Sequence, residues 1–187
     1  MPPNPREPPP LHRRHPGVPP QPPPWPLPFG HPAQAAVGQL FANRIELSLA
    51  GVHRQRRRGI GGSQAWGSDS IVLSAAYEDD DDRWDRVLYT GEGGRDPARN
   101  VQVADQDLAR GNLALVRSCE RGLPLRLVRG PMPGNPYAPE SGYRYDGLYR
   151  VAAWWADLGR SGHRIYRYEL LRWPDDVAHE TQPASGA

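Results

Sequence analysis

The sequence predicts an α+β domain in which a twisted, barrel-like β-sheet carries a few helices packed on its outside. Several short segments have the apolar, β-branched or alternating pattern of strands, and Gly- and Pro-rich turns separate them. Only one segment, residues 103–119, has the apolar spacing of a substantial helix. Many strands together with one main helix favour a sheet that curls on itself.

The predicted elements follow one another along residues 37–175, which we take as the folded domain. The alternation in RIELSLAGVH (44–53) predicts a strand, and RQRRRGIGG (54–62) is typical of a basic loop that ends in glycines. In the helical segment, Asn100 is a candidate N-cap, whereas Gly111 weakens the pattern. The other predicted strands are SIVLSAAY (70–77), DRVLYTG (85–91), LPLRLVRG (123–130), LYRVAAWW (148–155) and HRIYRYELLR (163–172).

The two ends of the chain differ in composition from the predicted domain. Fifteen of the 23 prolines lie in residues 1–36, in runs such as PPPLHRRHPGVPPQPPP. Such a segment buries too little apolar surface to offset its ordering entropy, so residues 1–36 are predicted to be a disordered or polyproline-like arm. Residues 176–187 are predicted to be a polar tail.

Composition excludes several classes of protein. All 23 basic residues are arginine, and the formal net charge is only +2, so any nucleic-acid contact must come from a local patch. A single cysteine, Cys119, excludes a disulfide framework and a zinc ribbon. No stretch approaches the roughly 20 apolar residues of a membrane span, which predicts a soluble, cytoplasmic protein without a membrane partner.

An acidic stretch, YEDDDD (77–82), follows the strand at SIVL and leaves three interpretations open: a metal site, a solvated loop, or one carboxylate with a specific task. Consecutive residues of an extended chain point to opposite faces, so at most two of the four aspartates converge. The EF-hand spacing is absent, and only His53 and His163 fall within the domain. We therefore predict no metal and no other cofactor, and a solvated loop that includes Asp81 and Asp82 accounts for most of the stretch.

Taken alone, the residues indicate an arginine-rich loop beside an acidic and aromatic pocket. Arginines suit phosphates, aromatic rings stack on bases, and a carboxylate can hydrogen-bond to a base edge. This combination of side chains is typical of nucleic-acid recognition.

A series of ordered blocks resembles the SRA (SET- and RING-associated) domain family, also named YDG after the triplet at residues 145–147. The resemblance covers about residues 37–172 and includes GVHR, GIGG, SIVLSAAYEDD, YTGEGGRD, DQDLARGNLALVRS, PLRLVRG, YAPESGYRYDGLYRV and YRYELLR. It implies a PUA-like twisted barrel that binds double-stranded DNA and flips a modified cytosine, usually 5-methylcytosine, into a pocket. The triplet itself is interpreted as structural rather than ligand-binding.

Matched position by position, the resemblance implies that the acidic stretch builds the base pocket. Tyr77 and Tyr89 correspond to the two aromatic residues that sandwich the flipped base, and Asp80 to the carboxylate that reads its Watson–Crick edge. The predicted base pocket comprises Ser74, Ala75, Ala76, Tyr77, Asp80, Tyr89 and Thr90.

Two departures from the family pattern limit what can be carried over. Ala75 and Ala76 replace a Gly-Gly pair, which leaves the preferred modification open. Of the two loops that family members insert into the duplex, the first maps to RQRRRG, and the second lacks the Asn-Lys-Arg finger, so a preference for hemimethylated CpG is not predicted. The predicted DNA contacts are Arg54, Arg56, Arg57, Arg58, Arg95, Asn100 and Gln102.

The leading prediction is a non-enzymatic reader: a bacterial, nucleoid-associated, stand-alone domain that binds modified cytosine in DNA. The tail of residues 176–187 leaves no room for an HNH nuclease. One alternative is the recognition part of a modification-dependent restriction system, with the nuclease on a separate partner chain. A second alternative is binding to structured RNA.

Overall fold

A curled, mixed β-sheet dominates the computed structural model, which describes residues 12–13, 29–96, 98–99 and 101–173. Six strands run through this sheet in the order β3-β8-β9-β10-β5-β4, and β1 and β2 pair with β9 outside this path. The elements are β1 (His12–Arg13), β2 (Leu40–Phe41), α1 (Arg44–Leu49), β3 (Ser70–Leu73), β4 (Asp81–Arg83), β5 (Arg86–Thr90), β6 (Arg95–Asp96), β7 (Val101–Gln102), α2 (Arg110–Arg121), β8 (Pro124–Arg129), β9 (Tyr143–Leu158) and β10 (Arg164–Arg172).

The long strand β9 organises the sheet. Its first part pairs with β8 and with β2, and the part from Tyr149 to Leu158 pairs with β10. Register shifts interrupt both the β8–β9 and the β9–β10 ladders, and such irregularities bend a strand and increase its twist. The predicted α+β class, with many strands, few helices and a curled sheet, is confirmed, as are the strands predicted at β3, β5, β8, β9 and β10.

The main core lies between the sheet and α2. Buried side chains of β3, β5, β8, β9 and β10 meet the apolar face of α2, on which Leu115, Val116 and Cys119 are buried. A second, smaller core joins α1 to the other side of β3 and β8 through Leu47, Val72 and Val128. Both cores pack on β3, the strand from which the acidic stretch continues.

Helix α1 occupies a segment that was predicted to be a strand, so that prediction is wrong. Asn43 caps the helix, and its side chain accepts hydrogen bonds from the amides of Ile45 and Glu46 at 3.0 and 3.1 Å. Glu46 accepts in return from the amide of Ala42, one residue before the cap, at 2.8 Å, so both sides of the helix start are hydrogen-bonded. The alternating apolar pattern is misleading because Ile45 and Leu49 are 52% and 71% exposed.

Helix α2 begins at Arg110, seven residues later than predicted. Its N-cap residue, Ala109, supplies no side-chain hydrogen bond, and two distant residues do so instead. The Arg110 amide donates to Gln64 Oε1 and the Gly111 amide donates to Glu92 Oε1, both at 3.1 Å. The predicted cap, Asn100, lies outside the described residues.

The structure places residues 29–36 against the domain, so the predicted boundary at residue 37 falls inside the packed region. The Gly30 carbonyl accepts a hydrogen bond from Arg126 at 2.9 Å, and His31 Nδ1 lies 2.8 Å from the Tyr145 hydroxyl. Strand β1 pairs with β9 at Ala153 and Trp154. Residues 1–11 and 14–28 of the predicted arm and the whole predicted tail lie outside the described residues.

Candidate nucleic-acid interface

Asp80 lies in the turn that connects β3 to β4, beside the end of β5. Its Oδ1 accepts a hydrogen bond from the Thr90 amide at 2.7 Å. Desolvation raises the pKa of the Asp80 carboxyl to about 7, although the Thr90 amide and the charge of Arg167 oppose the shift. The carboxyl is therefore a group that exchanges its proton near neutral pH and can either accept or donate a hydrogen bond.

The two predicted stacking residues lie on either side of this carboxyl in sequence and close to it in space. Tyr89 is buried on β5, and Asp80 and Tyr77 both act on it electrostatically. The Tyr77 hydroxyl accepts a hydrogen bond from the Gly93 amide at 3.1 Å. Burial raises the pKa of both tyrosines, so both rings stay neutral at physiological pH.

The remaining pocket residues fall at the edges of this group. Thr90 is fully buried, and its Oγ1 has no hydrogen-bond partner among the described residues. The turn before Tyr77 is tight, since the Ala76 amide donates to the Ser74 carbonyl at 2.5 Å. Ser74 and Ala76 are half-buried, whereas Ala75 is exposed.

Asp82 belongs to a different environment, and its interpretation as a solvated residue is wrong. Its side chain is only 3% exposed, and its two oxygens each accept a hydrogen bond from Arg129 at 2.8 Å. Asn135 donates to it as well, at 2.8 Å. Burial alone would raise the pKa of Asp82, but the hydrogen bonds and charge of Arg129 outweigh it and lower that pKa.

The other two aspartates of the run also have partners. Asp79 is half-buried, and its Oδ1 accepts from the Arg160 amide at 3.1 Å. Asp81 accepts from Arg83 Nε at 3.0 Å, in an exposed pair. Among the four consecutive aspartates, Asp80 alone is joined to the pocket residues.

The Tyr-Asp-Gly triplet takes part in the same ion cluster as Asp82. Asp146 is buried and accepts from Arg129 at 2.9 Å and from Arg144 at 2.5 Å. The ring of Trp84 lies 4.7 Å from the Arg129 guanidinium and 4.8 Å from that of Arg172. Paired guanidiniums, carboxylates and a stacked ring give the triplet a structural environment.

The basic loop, residues 54–59, runs alongside the pocket. Arg54, Arg56 and Arg57 are exposed. Arg58 instead forms an ion pair with Glu92, with its Nε 3.2 Å from Glu92 Oε2. Glu92 was not predicted as a functional residue, because nothing within TGEGG indicates a partner 34 residues earlier in the chain.

Two other predicted DNA contacts, Arg95 and Gln102, interact with other residues of the protein. The Arg95 guanidinium lies 5.7 Å from the centre of the Tyr77 ring. The Gln102 amide nitrogen donates to the carbonyls of Gly93 and Ala104 at 2.9 and 2.7 Å. Asn100 lies outside the described residues.

Within the described ranges, no group of three or more histidine, cysteine or carboxylate side chains is arranged to hold a metal ion. In the same residues, neither helix has the length and apolar character needed to cross a membrane.

The curled sheet and the sequence of this chain match a known domain family. The SAD/SRA domain family matches residues 28–176. The chain therefore belongs to this family, as its sequence motifs predict.

Three similar proteins illustrate the match. E3 ubiquitin-protein ligase ORTHRUS 5 of Arabidopsis thaliana is 39% identical over 157 residues, which make up 80% of this chain and 25% of that protein. The structure of the modification dependent TagI restriction endonuclease has a TM-score of 0.75 and 43% identity, covering 79% of this chain and 53% of that one. The structure of the SUVH5 SRA domain bound to fully hydroxymethylated CG DNA has a TM-score of 0.66 and 34% identity, covering 78% and 94%.

The last of these similarities confirms the predicted PUA-like fold, since the SUVH5 chain is matched almost along its full length. The curated relatives are longer proteins, and this chain spans about a quarter of the length of ORTHRUS 5 and of similar relatives.

Proposed function

We propose that this chain is a reader of modified cytosine in double-stranded DNA, which flips the base into the pocket formed by Tyr77, Asp80, Tyr89 and Thr90. The observation that carries the proposal is the Asp80 carboxyl, fixed by the Thr90 amide between two tyrosines and without a salt-bridge partner among the described residues. The chain acts by binding and does not change the base. In a bacterial cell, such a domain is associated with the nucleoid.

The chemistry of the pocket matches the Watson–Crick edge of cytosine. Cytosine presents an amino donor, and the Asp80 carboxylate has lone pairs to accept it beyond the one that the Thr90 amide uses. Thymine presents a carbonyl acceptor at the same place. Leaving that carbonyl and the ionised Asp80 carboxylate unpaired costs about 1–3 kcal/mol, which favours cytosine over thymine when Asp80 is ionised.

Energetics also favour the pair of tyrosines as a base clamp. Extruding a base from the duplex costs a few kcal/mol. Stacking on an aromatic ring contributes roughly 1–3 kcal/mol per base, so Tyr77 and Tyr89 together offset most of that cost. A single added methyl group contributes only about 0.8 kcal/mol. We therefore expect a modest preference for 5-methylcytosine over cytosine.

A duplex panel tests the proposal directly. Affinity is measured for matched duplexes that carry cytosine, 5-methylcytosine, 5-hydroxymethylcytosine or a bulkier modified cytosine, with a fluorescent base analogue beside the target to detect flipping. Asp80→Asn keeps the acceptor for the Thr90 amide but presents an amino group to the base, so we expect a loss of about 10-fold or more in affinity for modified cytosine.

Asp81→Asn serves as the matched control, because Asp81 is adjacent and pairs only with an exposed arginine. Equal affinity of the wild type for modified and unmodified duplexes, unaffected by Asp80→Asn, would contradict the proposal. Competition by structured RNA at equal concentration would favour the RNA-binding alternative.

A second candidate function is the recognition part of a modification-dependent restriction system. The similarity to the TagI restriction endonuclease, at 43% identity over 79% of this chain, favours it. The base pocket would act in the same way, with a nuclease partner on a separate chain. A nuclease encoded beside this protein, which cuts modified DNA only when this chain is present, would support this function.

A further inference from the structure

Residues Thr90–Gly93, which begin at the end of strand β5, contact two residues of the proposed pocket, Asp80 and Tyr77. The first amide of this segment donates to Asp80, and the last donates to the Tyr77 hydroxyl. Between them, the Glu92 carboxylate accepts hydrogen bonds from both Nε and Nη2 of Arg58 in the basic loop. One short segment thus holds the base-reading carboxyl, a stacking ring and the loop.

Glu92 is itself held firmly by the start of helix α2. Its Oε1 accepts from the Gly111 amide at 3.1 Å, where a carboxylate also interacts favourably with the helix dipole. The buried Asn112 side chain accepts from the Glu92 amide at 2.8 Å and donates to the Glu92 carbonyl at 2.9 Å. These hydrogen bonds fix the position of Glu92, and the basic loop is held to its carboxylate through Arg58.

The backbone of Arg58 is also held in place, by residues other than Glu92. The Arg58 carbonyl accepts hydrogen bonds from His53 Nε2, at 3.0 Å, and from Arg44. The next residue, Gly59, lies directly on the pocket, since a Cβ placed on it would come within 2.9 Å of the Tyr89 hydroxyl. The position of Arg58 therefore decides how the loop approaches the stacking residue.

Resting on the proposed function, we propose that Glu92 is a positioning residue, which holds the basic loop at the pocket through Arg58, so that Arg58 acts within the protein and not as a DNA contact. The exposed Arg56 and Arg57 remain available for the duplex. Pre-positioning the loop lowers the conformational cost of inserting it, and this benefit applies only when a base is flipped.

The first test needs no DNA. Hydrogen exchange of the amides of residues 54–60 is measured in the free full-length protein, in the wild type and in Glu92→Gln. The glutamine can still accept from the Gly111 amide but loses the ion pair. We expect exchange in the loop to rise roughly two- to fivefold, with α2 unchanged beyond its first turn, where the charge of Glu92 also acts on the helix dipole. Unchanged exchange in the loop would overturn the proposal.

Glu169→Gln is the matched control for this experiment. Glu169 pairs with Arg86 at 2.7 Å on the sheet, and the two side chains are 24% and 51% exposed, close to the 22% and 42% of Glu92 and Arg58. We expect it to leave exchange in residues 54–60 at the wild-type rate. A general loosening caused by losing any surface ion pair would appear in both variants.

The second test separates positioning from DNA contact by salt dependence. Each phosphate contact contributes about 0.9 to the slope of log K against log salt concentration. We expect Arg57→Gln to lower the slope by about one and to weaken modified and unmodified duplexes equally. Arg58→Gln and Glu92→Gln are expected to keep the wild-type slope and to weaken only the modified duplex, by roughly two- to fivefold.

The double variant Arg58→Gln/Glu92→Gln is expected to lose no more affinity than either single variant, because both remove the same pair. A lowered slope with equal weakening of both duplexes in Arg58→Gln would show that Arg58 contacts phosphate, and tighter binding by Glu92→Gln would show that Glu92 competes with DNA. Either result overturns the proposal. A wild type that does not discriminate between the duplexes contradicts the proposed function instead, while the exchange experiment still tests Glu92.

Discussion

Asp80 and Asp82 are two residues apart in one acidic run, yet their surroundings push their pKa values in opposite directions. Asp80 faces a backbone amide and two tyrosines, and desolvation raises its pKa to about 7. Asp82 faces the Arg129 guanidinium, which holds its pKa below the usual range despite burial. In the proposed function, the Asp80 carboxyl is available to a ligand. The Asp82 carboxylate instead forms an ion pair with Arg129 inside the fold.

The difference teaches that partners, rather than burial, separate a binding carboxyl from a structural one. Arg167 is near Asp80, but its guanidinium donates to the Asp79 carbonyl and does not form a salt bridge with Asp80 in the described residues. The Arg129 cluster, in contrast, matches every buried carboxylate with a guanidinium. We therefore expect a substitution in the Arg129 cluster to lower the stability of the protein, and a neutral substitution of Asp80 to raise it above pH 7.

The largest effect is expected from Arg129→Met. This change leaves Asp82 and Asp146 buried with fewer partners, and breaking a buried ion pair on one side costs about 3–5 kcal/mol. Urea unfolding of the variant measures the loss. Arg117→Met, which removes an exposed pair on α2, is the control and should change stability by less than about 0.5 kcal/mol. Similar values for both variants would mean that the cluster does not stabilise the fold.

The sequence predicts most of the sheet, but it does not predict that Asp80 and Asp82 have different surroundings. The sequence predicts five strands from their local apolar patterns: β3, β5, β8, β9 and β10. Each is a contiguous run of residues, and most of its apolar side chains are buried in the sheet. The start of α2 depends on Glu92, and the role of Asp82 depends on Arg129, which lies 47 residues away. Neither dependence has a local signal.

Helix α1 shows a different limit of sequence reasoning. The sequence contains the helix-starting pair of Asn43 and Glu46, but the alternation of Ile45, Leu47 and Leu49 favours a strand. Only Leu47 is buried, since a six-residue helix presents a single side chain to the small core. The pocket residues, in comparison, were assigned from family motifs, and their roles in binding remain predictions.

An intermediate effect is expected from pH, with Asp80→Asn as the probe. The folded pKa of Asp80 is raised above its unfolded value, so its contribution to stability is present below about pH 4 and is lost as pH rises through about 7. We expect the wild type to lose up to about 4 kcal/mol between these values from this site, since one pKa unit corresponds to about 1.4 kcal/mol. Asp80→Asn should lack this decline and be more stable than the wild type at pH 8.

Thermal unfolding of both proteins from about pH 2 to 8 measures the difference and covers the acidic range in which Asp82 titrates. Asp82 contributes in the opposite sense, because its lowered pKa gives stability that is present above about pH 4 and is lost as pH falls further. The two limbs can therefore be assigned to different residues. A wild-type profile that matches Asp80→Asn at every pH would show that the Asp80 carboxyl is not desolvated.

The smallest effect is expected from Asp81→Asn, which lies between the other two. Asp81 pairs with Arg83 at 3.0 Å, but the two side chains are 41% and 71% exposed, so solvent screens the pair. We expect a change in stability within about 0.5 kcal/mol and no change in the affinity for modified duplexes. Equilibrium unfolding and the duplex panel measure both. A loss of base selectivity in Asp81→Asn would mean that Asp81 also takes part in reading the base. The proposed division between a ligand-binding Asp80 and a structural Asp82 would then be wrong, because the residue between them would share the binding role.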